Sequence, residues 1–125
     1  MNFVVLHHTG WPGHADHYDL MIQVAAGQND DDAVLRTFST LSDAFPDPPA
    51  LLKEIVRHRR AYLKLEGPLS GNRGNVACVD EGEIRFPDGA AQSQESPLEF
   101  FGSRLSGLFR LRSTSDDTFS FERSV

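Results

Sequence analysis

A chain of 125 residues with a 39% apolar fraction is the size of one globular domain, spanning residues 1–125, that buries about two-thirds of its unfolded surface. It holds no apolar run of the ~18 residues a membrane span needs, no basic leader ahead of an apolar stretch, and a lone cysteine, Cys78, so a cytoplasmic protein without internal disulfide or membrane partner is expected. A net charge of −6 argues against broad electrostatic capture of nucleic acid, which depends on Lys and Arg neutralising phosphates.

In chain order, Phe3 to Leu6 predict a short apolar strand, and Thr9-Gly10-Trp11-Pro12-Gly13 a loop. His17 to Val24 alternate as a strand, Ala25 to Asp32 form a polar turn, and Ala33 to Phe38 return as the second arm of a hairpin. Asp47 before Pro48 reads as an N-cap and first helical residue, and Leu51, Leu52, Ile55 and Val56 as the apolar stripe of the chain's one α-helix. His58 to Lys64 alternate as a strand, with His58, Arg60, Tyr62 and Lys64 on the polar face. Asn75 to Asp80 and Glu83 to Phe86 predict a hairpin turning at Glu81-Gly82, and Pro87 to Pro97 a Gly-, Gln- and Ser-rich loop. Leu105 to Arg112 and Thr118 to Glu122 are closing strands. The fold expected is mainly β: a small closed or partly open β-barrel with one flanking α-helix.

Chemistry concentrates at His17-Tyr18-Asp19. On a strand, His17 and Asp19 share one face, so an imidazole and a carboxylate can converge on a cation. His8 supplies a third ligand if the loop from Thr9 to Asp16 folds back beside it, and His14 in that loop is an alternative. Three ligands of mixed N and O type leave coordination positions open, which suits a catalytic site better than a structural one. Charge is uneven: Asp30, Asp31 and Asp32 share a turn, while Arg57, Arg59, Arg60, Lys64 and Arg73 cluster mid-chain. Trp11 either packs over the barrel or stacks on a terminal base, with packing preferred. Cys78 reads as a small buried hydrophobe, not a nucleophile.

Four ordered blocks carry a resemblance. Phe3 to Leu20, FVVLHHTGWPGHADHYDL, is similar to the opening motif of the 3′-phosphoesterase domain of bacterial ATP-dependent DNA ligase D, with a longer loop before His17. His58-Arg59-Arg60-Ala61-Tyr62 followed by Glu66-Gly67 resembles its second block. Gly74 to Gly82 resembles its glycine-led strand and Asp-x-Gly turn, and Arg104 to Leu111 its closing Leu-x-Gly-x-Phe strand. The resemblance implies a manganese-dependent phosphoesterase of DNA repair that removes a 3′-terminal ribonucleoside and then the 3′-phosphate, and it leaves open whether a ligase or polymerase partner lies on a separate chain. It puts His8, His17 and Asp19 on the metal ligands, His58 on a catalytic histidine and Tyr62 on a supporting site residue. At two positions where the family carries phosphate-contacting arginines, this chain has Met21 and Ala50. Arg60 and Lys64, on the expected face of His58, are candidate replacements.

The expectation is therefore a barrel holding a divalent ion near one mouth, manganese by its N and O ligand set, with zinc the main competitor. His58 would protonate the leaving oxygen or stabilise the transition state. The alternative is a non-catalytic module that binds the metal and a DNA end or a repair protein. A weaker third reading is an enzyme of small phosphorylated metabolites.

Overall fold

The computed structural model describes residues 1–87 and 97–124. Among the described residues nine strands follow in order: β1 (Asn2–Thr9), β2 (His17–Gln23), β3 (Leu35–Thr40), β4 (Ala50–His58), β5 (Gly67–Pro68), β6 (Asn75–Arg85), β7 (Pro97–Phe101), β8 (Ser106–Ser113) and β9 (Thr118–Arg123). Eight of them run antiparallel in the order β1-β2-β3-β4-β9-β8-β7-β6, and β6 pairs again with β1 to close a barrel; β5 adds to β6 as an extra strand.

Phenylalanine fills the lumen. Phe3, Phe38, Phe45, Phe100, Phe109, Phe119 and Phe121 are each under 2% exposed. Phe3 and Phe100 meet edge to face at 4.9 Å, while Phe109 stacks on Phe121 at 4.9 Å. An eight-stranded barrel has just enough interior for its inward side chains, so the lumen is a core. A second apolar cluster lies on the outer wall, where Val4, Leu6, Met21, Leu35 and Val76 are covered by Tyr62, Leu63, Leu65 and Leu69.

Three expected elements differ. No α-helix occurs among the described residues. The segment expected to be helical is strand β4, paired with β3 and β9. Pro49 after Pro48 disfavours helical backbone at the start, β-branched Ile55 and Val56 favour a strand, and the barrel needs a strand there to close. Leu51 and Val56, expected to face a core, are 65% and 77% exposed.

His58 to Lys64 is not a strand: β4 ends at His58, and Arg60–Lys64 form a 3-10 turn. It is tied to the β2–β3 loop by Arg60 N–H to the Asp32 carbonyl and Ala61 N–H to the Asp30 carbonyl. Asn75 to Phe86 is not a hairpin either, because β6 runs unbroken through Glu81-Gly82. Gly82 serves a close approach, since a Cβ there would collide with the Phe101 carbonyl of β7. β7 itself was not foreseen, and most of the loop expected at Pro87 to Pro97 lies outside the described residues.

Candidate metal centre

Register brings the ligands together. In the β1–β2 ladder His8 pairs with His17 and Leu6 with Asp19. Alternation then sends Tyr18, Leu20 and Ile22 inward, and His8, His17, Asp19 and Met21 to the outer wall. The site is therefore on the outside of the barrel, at the strand ends, not in the lumen. One ligand atom from each of His8, His17 and Asp19 lies within 4.8 Å of the others.

Hydrogen bonds preset both rings. His17 Nδ1–H donates to the Ala15 carbonyl at 3.0 Å, and His8 Nε2–H to the Arg73 carbonyl at 2.6 Å. In the neutral rings this leaves His17 Nε2 and His8 Nδ1 as lone pairs, the outer-shell arrangement that orients ligating histidines. His17 Nε2 is 3.3 Å from Asp19 Oδ2, and that hydrogen bond raises the His17 pKa above 6.5, against the opposing effect of burial. Asp19 Oδ1 is buried without a hydrogen-bond partner among the described residues. A buried carboxylate oxygen left unpaired is costly, and a cation is the partner this donor set fits.

The facing wall is built by a register shift. The β3–β4 pairing slips between Leu35 and Thr37, opposite Ile55 to His58. This bulge puts Ile55 and His58 on the same outer wall, which their odd spacing forbids in a regular strand. His58 Nδ1–H donates to the Val56 carbonyl at 2.9 Å, leaving Nε2 as its lone pair, and the ring meets Tyr62 edge-on at 4.9 Å. His8, His17, Asp19, His58 and Tyr62 thus line one cavity of about 120 Å³, with Met21 also in its lining.

The other candidates lie elsewhere. Arg60 turns to the β2–β3 loop, where Nε bonds Asp30 Oδ1 at 3.2 Å and Nη1 the Ala26 carbonyl at 3.0 Å. Lys64 is exposed beside Asn2 and Glu81. Neither lines the cavity around His58. Ala50, the other arginine position of the resemblance, packs in the lumen. His14 stacks on Trp11 at 3.8 Å and is not part of the ligand cluster. Trp11, expected in the core, lies over His8 at 5.3 Å and lines the cavity. Cys78 is half-buried, and its thiol is pushed up to about 11 by burial and the Glu81 carboxylate, which leaves it unreactive.

Sequence reasoning missed Arg73 and Ile55 as cavity residues. Arg73 sits in a turn flagged by Gly71, Asn72 and Gly74, but its approach to His8 depends on the β1–β6 pairing. A larger hollow of about 590 Å³ on β3 and β4, lined by Leu41, Pro49 and Leu51, shares Ile55 with the site and holds none of the ligand cluster. No protein-family model and no curated protein matches this chain.

Proposed function

We propose that this chain is a metal-dependent 3′-phosphoesterase that acts on DNA 3′ ends in repair, removing a terminal ribonucleoside or a 3′-phosphate. The observation that carries the reading is the single cavity in which His8, His17 and Asp19, whose buried Oδ1 has no hydrogen-bond partner among the described residues, face His58 and Tyr62. His8, His17 and Asp19 would hold the ion; manganese suits their N and O donors, and zinc is its competitor. A divalent ion bound there supplies Lewis-acid polarisation of a phosphoryl oxygen.

The protein groups have separable tasks. His58, with Nδ1–H committed to the Val56 carbonyl, keeps Nε2 for proton exchange with the leaving oxygen. Tyr62 braces that ring by its edge contact. A cavity of about 120 Å³ is far smaller than the roughly 300 Å³ or more of sites that enclose whole ligands. It suits a terminal phosphoryl group presented by a strand end, with the remainder of the strand outside.

Met21, a buried thioether where the resembled family has arginine, favours a second reading, a non-catalytic module binding metal and a DNA end or repair protein. A primer–template carrying a 3′-ribonucleotide or 3′-phosphate, incubated with and without manganese, separates the two. Metal-dependent release of nucleoside or inorganic phosphate supports the enzyme; stable end binding without release supports the module.

A further inference from the structure

We infer that Arg73 is the phosphate anchor of this site and that it tunes the site to a phosphomonoester; the inference rests on the phosphoesterase reading above. Among the described residues Arg73 is the one Lys or Arg that lines the cavity. Arg59 and Arg60 are committed to carboxylates, to Asp31 at 3.1 Å and Asp30 at 3.2 Å, while Arg57 and Lys64 are exposed and outside the cavity lining. Arg73 is half-buried and has no carboxylate within ion-pair distance among the described residues.

Its guanidinium is held in place all the same. Nε donates to the Ser70 carbonyl at 2.8 Å and Nη2 to Ser70 Oγ at 3.2 Å, while Nη1 has no partner among the described residues. A guanidinium fixed on one side with donors to spare on the other is prepared for an oxyanion. The turn holding it is tight. Leu69 N–H bonds the Gly74 carbonyl at 2.8 Å, and Asn72 takes a positive φ of 55°. Gly74 abuts β1 so closely that a Cβ would collide with the Thr9 carbonyl. The same residue whose carbonyl orients His8 thus carries its side chain to the cavity.

Charge points to the substrate class. Asp19 and Arg73 offset one another, so a divalent ion at the cluster would leave two positive charges uncompensated. A phosphomonoester dianion neutralises them, whereas a diester monoanion leaves one over. The site therefore takes a 3′-phosphate better than an internal or terminal diester.

The test is calorimetry of manganese, then of inorganic phosphate on the manganese-loaded protein, for wild type, Arg73→Ala and Arg73→Lys, with thermal melts to check folding. Arg73→Ala should keep manganese affinity within about twofold and lose roughly ten- to hundredfold in phosphate affinity, with Arg73→Lys recovering part, as a charge-assisted contact requires. Unchanged phosphate affinity overturns the proposal, and so does parallel loss of manganese and phosphate, which would make Arg73 only a support of the turn. Wild-type protein that binds manganese but neither binds phosphate nor releases it from a 3′-phosphate strand removes the phosphoesterase reading as well. Wild-type phosphate binding that Arg73→Ala leaves intact removes the Arg73 assignment alone.

Discussion

The Asp19 carboxylate lifts the His17 pKa above its ordinary 6.5, so a proton and the proposed metal would compete for one nitrogen. In metal-free protein the raised pKa contributes stability that is fully present below about 6.5 and is lost as pH rises through the folded-state value. Ligation needs the neutral ring, so manganese affinity should fall as pH drops through that same raised value. Melting curves over pH, with and without manganese, should therefore slope oppositely in that window. His17→Ala should erase both slopes, and a metal-free slope surviving that substitution would assign the titration to another group. His17→Ala should also cost at least about a hundredfold in manganese affinity, since loss of an outer-shell partner alone costs roughly 10–100-fold. His58→Ala should keep the metal and lose about 10²–10⁴ in turnover, the range of general acid–base catalysis; wild-type turnover would remove His58 from the chemistry. At this scale the pairing of His17 with Asp19 was legible from strand periodicity. The approach of Arg73 was not, because it depends on a turn docking against a strand more than half the chain away.

The β-bulges decide which side chains meet. In β6 the pairing with β1 slips between Val5 and Leu6, so Val5 opposes Asp80 while Leu6 opposes Cys78. Asp80 is thereby buried, where Oδ1 accepts the N–H groups of Glu81 and Ser103, and Oδ2 those of Arg104 and Leu105. This carboxylate organises the turn between β7 and β8. Asp80→Ala should cost about 2–4 kcal/mol, because several N–H groups lose a charged acceptor at once. Denaturant unfolding checks it, and a loss under about 0.5 kcal/mol would mean water replaces the carboxylate freely. Sequence patterns showed most strands but none of the bulges, since one extra residue leaves composition and turn signals unchanged while reversing every later side chain. The same blindness explains β4. Apolar residues at 51, 52, 55 and 56 fit a helical stripe as well as a bulged strand, and only closure of the barrel selects the strand. In β6, Glu81-Gly82 looks like a turn because the pattern cannot tell a glycine that bends the chain from one that admits a neighbouring backbone.

For the whole molecule, acidity and local pairing act together. The chain carries −6 overall, and the mid-chain basic cluster is partly neutralised by the acidic β2–β3 loop through Arg59–Asp31 and Arg60–Asp30. Binding to duplex away from ends should be feeble, and any tight binding should require a free 3′-phosphate and the metal. Gel shifts with free and blocked ends, with and without chelator, over a salt series, test this; tight binding to blocked duplex would identify a general nucleic-acid module. Composition made the charge balance legible, but pairing by the Asp30-Asp31-Asp32 loop needed the 3-10 turn to lie against it. The lumen packed with seven phenylalanines has a consequence for descent. Chemistry written on the outer wall of a solid barrel can change one residue at a time without unfolded intermediates. Arginines can be lost at one position and regained at another while the scaffold persists. Chains with this fold should then diverge in substrate sooner than in architecture, and their ancestry will be easier to read inside the barrel than around the candidate metal site.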